Sequence, residues 1–130
     1  MSAHTIHHHQ HHFGWNKAFA PILTVAPGAT ISFDCPDSSA GQLTPASTVA
    51  DVATLDFGRI NPVNGPIFID GAEPGDAIKI TIGDFTPSGF GWTANIPGFG
   101  LLADQFKEPA LKLWSYDRIG MTPALSLIHI

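Results

Sequence analysis

A mainly β chain, a sandwich or barrel-like fold with short helical turns, is predicted by three observations. Thirteen glycines and 11 prolines punctuate the 130 residues too often for long helices. Two stretches, 22–35 and 67–84, alternate apolar and other residues around a Pro-Gly pair. Helix-like spacing is confined to one short segment, 48–60. A hydrophobic content of 44% against 13% charged residues supplies a packable core and argues against disorder.

The chain opens on histidines. Six of the seven fall within the first 12 residues, and Gln10 and the spread back to His4 separate this run from a simple tag. The sequence offers every spacing, His7, His9 and His11 for a strand or His4, His8 and His12 for a helix, so spacing alone selects no ligand pair. Residues 1–12 are expected to form a histidine-rich arm, and 13–124 the folded part. Next, Ile22, Thr24 and Ala26 alternate with Leu23 and Val25, Pro27-Gly28 turns the chain, and Ile31, Phe33 and Cys35 alternate with Thr30, Ser32 and Asp34. This predicts a hairpin with one buried face. Cys35, in phase with Ile31 and Phe33, is expected in the core as an inert thiol. Ser38-Ser39 reads as a polar turn after the strand.

Val49, Val52 and Leu55 have helix-like spacing and predict one or two helical turns, or a loop, in 48–60; Asp51 and Asp56 are cap or surface candidates. Residues 67–84 repeat the earlier pattern. Pro74-Gly75 turns, and Ile31 falls on Ile78, Phe33 on Ile80, Cys35 on Ile82 and Asp37 on Asp84. An internal repeat of a short β-unit follows. Residues 86–100, with Phe90, Trp92 and Phe99 among glycines and prolines, read as a long loop held by aromatics, and 111–116 as a last strand. The final LSLIHI, 125–130, matches the translation of a transposon-end sequencing adapter and is expected to be non-native.

Several function classes fall away. The net charge is −5 with no basic run, which excludes phosphate-tracking nucleic-acid binding. No apolar run approaches the roughly 20 residues of a membrane span, and no apolar region of the signal-peptide type follows the histidines. A single cysteine allows no intrachain disulfide. The cytoplasm is the default compartment.

Longer stretches then carry a resemblance. HHFGW (11–15), FAPILTVAPGA (19–29), GQLTPAS (41–47), and above all NPVNGPIFIDGAEPGD (61–76) and GWTANIPGFGLLADQF (91–106) resemble the N-terminal part of the acetamidase/formamidase family. The resemblance implies a mainly β fold in proteins longer than this chain, and hydrolysis of formamide or short aliphatic amides to ammonia and the acid. Members carry a His- and acid-rich motif in their C-terminal part, and none is present here. The chain is therefore expected to be a fragment, inactive alone, of a protein that assembles as a homo-oligomer.

Amide hydrolysis at neutral pH needs an activated nucleophile and a stabilised oxyanion. A core Cys35 and a turn at Ser38-Ser39 disfavour the thiol and serine routes. Metal-activated water remains, with a divalent ion of the zinc type suited to imidazole and carboxylate. His12, three residues before Trp15, matches the family's H-x-x-W pattern and is the expected ligand. Asp37 is a ligand, the base that takes a proton from water, or the cap of its turn. Glu73 beside Pro74-Gly75 is the expected proton carrier to the leaving ammonia, while Asp76 reads as a turn residue. Asn61 is either punctuation or a donor to the amide oxygen. A cupin is disfavoured, since no glutamate follows His7-x-His9 before Glu73. The alternative to an enzyme is a non-catalytic all-β domain that binds a small ligand or partner.

Overall fold

The computed structural model describes residues 4–117 and 119. The chain is mainly β, with strands running β1 (His4–Ile6), β2 (His11–Phe13), β3 (Leu23–Val25), β4 (Ile31–Phe33), β5 (Pro62–Asn64), β6 (Ile67–Ile69), β7 (Phe90–Asn95) and β8 (Ala110–Ser115). One short helix, α1 (Val49–Ala53), and a 3-10 turn at Phe57–Arg59 lie between β4 and β5. The expected non-native tail, 125–130, lies outside the described residues. Two compact units emerge, Met1–Gly41 with Asp56–Ile80, and Gln42–Leu55 with Thr81–Ile130.

The first unit is woven from three two-stranded ladders. β1 pairs in parallel with β4, β3 in parallel with β6, and β2 antiparallel to β5. The histidine-rich start thus contributes two of the six strands. Its Ile6, 1% exposed, is a core residue together with Val25. Backbone bonds extend the ladders past their ends: Asp34 N–H donates to Ile6 O at 2.9 Å, Asp70 N–H to Val25 O at 2.8 Å, and Gly65 N–H to Gln10 O at 3.1 Å.

The expected hairpin over 22–35 does not form. Its turn does, since Ala29 N–H donates to Ala26 O at 3.2 Å and Gly28 takes the φ of +83° that glycine tolerates. The flanking strands, however, diverge to different partners, β3 to β6 and β4 to β1. Alternation reveals a strand but not its neighbour. Cys35 is exposed rather than buried, because β4 stops at Phe33 and the alternating face ends with it.

Half of the repeat survives. The Pro74-Gly75 turn matches the first, with Asp76 N–H donating to Glu73 O at 3.0 Å and Gly75 at φ +106°. Residues 78–82, the counterpart of β4, form no strand, and Ile80 is 81% exposed. β4 has β1 to complete its hydrogen bonds; 78–82 has no ladder partner among the described residues.

In the second unit, Leu43 and Val52 (1% exposed) are buried and α1 packs near β8. Asp51, three residues past Thr48, accepts the Thr48 N–H at 2.6 Å and its hydroxyl at 3.0 Å, fixing the first turn of the helix. Asp56 likewise starts the 3-10 turn in the first unit by accepting from Gly58 N–H at 2.9 Å. The expected loop over 86–100 is corrected in its middle. Phe90–Asn95 is a six-residue strand, antiparallel to β8 with Trp92 opposite Leu113. The flanking glycines and prolines conceal its alternation in the sequence. Asn95 Nδ2 donates to Phe106 O and Glu108 O at 3.1 and 2.6 Å, closing the loop that leads to β8. Trp114 Nε1 donates to Thr93 Oγ1 at 3.0 Å across the ladder.

Candidate functional site

In the first unit, β2 and β5 set one wall of an open pocket of about 440 Å³, lined by His12, Trp15, Asn16, Lys17, Phe19, Val63, Asn64 and Pro66. Pairing places His12 opposite Val63 and His11 opposite Asn64. A turn follows β2. Asn16 Oδ1 accepts from Ala18 N–H at 2.9 Å and Asn16 O from Phe19 N–H at 3.2 Å, bringing the Phe19 ring 4.6 Å from the His12 ring. Trp15 stands 90% exposed at the rim.

His12 carries the telling atom. Its Nδ1 is buried and has no hydrogen-bond partner among the described residues. Leaving such a group unsatisfied costs about 1–3 kcal/mol. That cost is ordinary where a ligand meets the atom, and unusual elsewhere.

The other expected site residues lie outside the pocket's walls. Asp37 is engaged in its own turn. One carboxylate oxygen accepts from Ser39 N–H at 3.1 Å and Ser39 Oγ–H at 2.6 Å, and the other from Gly41 N–H at 2.7 Å. Ser39 is buried by this arrangement. Asn61 joins the same loop, its N–H donating to Ser38 O at 2.7 Å while its backbone sits at φ +52°, a conformation asparagine tolerates better than most residues. Glu73 is exposed on its turn, with Asp76 Oδ2 accepting its N–H at 2.9 Å. The structure therefore brings Asn61 to the Asp37 loop and leaves Glu73 on the Pro74-Gly75 turn.

Do these residues fit a metal? Among the described residues no group of three or more His, Cys, Asp or Glu is gathered. Both Asp37 oxygens already accept from the protein. Among the described residues, His12 and Asp37 do not fit a metal centre.

Three features escaped the sequence. Phe19 and Pro66 as pocket walls have no local signature. Asn64 holds segments together, its Nδ2 donating to His7 O at 3.3 Å and Asp34 O at 3.4 Å. Finally, His8 Nδ1 meets Asp34 Oδ2 at 3.1 Å, and this imidazole, with a weaker contribution from the His8 N–H, holds the Asp34 carboxyl below its ordinary value of 3.8. Contacts between residues 26 to 57 positions apart follow from the ladders, not from any pattern near either residue.

Fold and pocket together define a mainly β chain built from short ladders, with an imidazole presented to a partly apolar pocket. The chain belongs to the acetamidase/formamidase family, whose model matches residues 2–126. It is 31% identical over 119 residues to a formamidase of Methylophilus methylotrophus, covering 87% of this chain and 29% of that protein. An acetamidase of Mycolicibacterium smegmatis is 28% identical over 118 residues, covering 81% and 29%. Among solved structures, an acetamidase/formamidase from the thermophile Thermoanaerobacter tengcongensis superposes with a TM-score of 0.75 at 23% identity, over 88% of this chain and 38% of that one. The chain thus spans about 29% of the length of these curated relatives. Among the described residues no helix is long and apolar enough to cross a membrane.

Proposed function

We infer that this chain forms one wall of the substrate pocket in an amide hydrolase, and that the whole protein releases ammonia from formamide or another short linear amide. Family membership gives the reaction class. The observation that carries the reading to a site is the buried, unpartnered Nδ1 of His12. An amide offers both an N–H donor and a carbonyl acceptor, so it satisfies that nitrogen in either tautomer. The apolar sides of Phe19, Val63 and Pro66 strengthen such a bond by excluding water.

In this reading His12 orients the amide. Asp37 acts by shaping the loop that Asn61 joins. The exposed carboxylate of Glu73 is the group able to carry a proton to the leaving ammonia. A homo-oligomeric assembly, which rests on the family resemblance, and the cytoplasm as default compartment belong to the same reading.

The test is ammonia release by a chimera in which this chain replaces the matching segment of the Methylophilus formamidase. Formamide hydrolysis that falls about tenfold or more with His12→Ala, a loss of about 1.4 kcal/mol in transition-state stabilisation, supports the reading. Unchanged activity in His12→Ala removes His12 from the site. A folded chimera inert toward formamide and acetamide removes the amide assignment.

A further inference from the structure

Three imidazoles of the first unit are held in different ways. His11 Nδ1 lies 2.6 Å from the His8 carbonyl oxygen, and His8 Nδ1 lies 3.1 Å from Asp34 Oδ2. A hydrogen bond orients each of those rings. His12 has no such bond at Nδ1 among the described residues. A side chain that meets a ligand needs something outside the ligand to lock its rotamer, either a hydrogen bond or packing. Against the His12 imidazole lies another ring. The Phe19 centroid is 4.6 Å away, with the two planes tilted by 48°. That is a packed aromatic pair.

Phe19 comes seven residues after His12, and a strand continued from β2 would carry it more than about 20 Å away. The chain turns back instead. Gly14, at φ +99°, leads out of β2. Asn16 Oδ1 then accepts the Ala18 N–H at 2.9 Å, an Asx turn, and Asn16 O accepts the Phe19 N–H at 3.2 Å. From 14 to 20 every residue is exposed except Phe19, which is half-buried. With one shielded side chain, the segment is held by the two bonds at Asn16 and by the seat of Phe19.

We propose that Phe19 and Asn16 are positioning residues for His12. The proposal rests on the reading that His12 meets the amide. The Phe19 ring does for His12 what a hydrogen bond does for His8 and His11: it restricts rotation of the imidazole and keeps Nδ1 for the substrate. Asn16 acts one step further out, by holding the turn that seats Phe19. A side chain fixed before the substrate arrives loses less entropy in the reaction and stays aligned with it.

The chimera with the Methylophilus formamidase and the 130-residue chain test this together. In the chimera, Phe19→Ala and Asn16→Ala should each lower kcat/KM for formamide about tenfold or more. Asn16→Asp keeps the side-chain acceptor and should stay within about threefold of the parent. Phe19→Ala added to His12→Ala should change activity by less than about twofold, because Phe19 acts through His12. In the 130-residue chain, coupling constants should show one χ1 rotamer for His12, and averaging over rotamers in Phe19→Ala and Asn16→Ala. Undiminished activity in Phe19→Ala and Asn16→Ala, with His12→Ala impaired, would overturn the positioning role and leave the amide reading standing. So would a Phe19→Ala loss that adds in full to that of His12→Ala. Undiminished activity in His12→Ala would remove both. Should a variant fail to fold, the couplings of the unaltered chain decide: a His12 side chain already averaged over rotamers overturns the proposal.

Discussion

The carboxylate of Asp34 and the imidazole of His8, 26 residues apart, meet at 3.1 Å where β4 has just ended and the turn after β1 begins. Their contact has a pH signature. His8 lowers the Asp34 pKa in the folded chain, so folding favours the ionised carboxyl. The resulting stabilisation is complete above the unfolded value of 3.8 and is lost as pH falls through the lower, folded value. Asp34→Asn should therefore unfold at lower urea than the parent at pH 6, and match it at a pH below the folded value. Equal midpoints at pH 6 would show that this exposed contact contributes nothing.

Ile6 is the core residue that anchors the histidine-rich start. Ile6→Ala should cost about 2–5 kcal/mol, since the parallel β1–β4 ladder leaves little freedom to refill the space. Urea denaturation at neutral pH checks this, and a cost under 1 kcal/mol would show that the first strand is not integral to the unit.

His12 should trade stability for function. His12→Leu removes a buried nitrogen that has no partner and keeps an apolar side chain against Phe19. Thermal unfolding should show equal or higher stability, by up to about 1–3 kcal/mol. The same change in the chimera should abolish amide hydrolysis. A strongly destabilised variant would mean that the ring is there for packing.

Residues 78–82 should govern self-association. Ile80 is 81% exposed in a stretch that alternates isoleucine with Lys79 and Thr81. Such an unpaired apolar stretch is a template for edge-to-edge pairing. Ile80→Lys should leave the unfolding midpoint within about 0.5 kcal/mol of the parent and raise the concentration at which light scattering detects association. Unchanged scattering would place the association elsewhere.

What the sequence could reveal was local. The Pro27-Gly28 and Pro74-Gly75 turns, the helix at Val49–Ala53 and the strand at Ala110–Ser115 are written in residues beside one another, and each stands where it was expected. Partners were not legible. Nothing near Leu23 says that it faces Ile67, and nothing near Ile31 says that it faces His4. From that gap came the false hairpin, whereas Cys35 is exposed because β4 stops short of it at Phe33, and the strand at Phe90–Asn95 is hidden by its flanking glycines and prolines. The site divides in the same way. His12 was singled out through the family's H-x-x-W pattern, while the residues that line the pocket beside it, Phe19, Val63 and Pro66, come together only when β2 meets β5.

The parallel pairing of β3 with β6 sets the tempo of assembly. During synthesis Leu23 emerges roughly forty residues before Ile67, its partner, and the ladder waits for the whole intervening segment. Closing so long a loop delays the reward until its entropy has been lost, which slows folding relative to a chain of nearest-neighbour hairpins. Until then Leu23 and Val25 stay open to any passing strand, so the ribosome-bound chain is the stage at which a chaperone matters most.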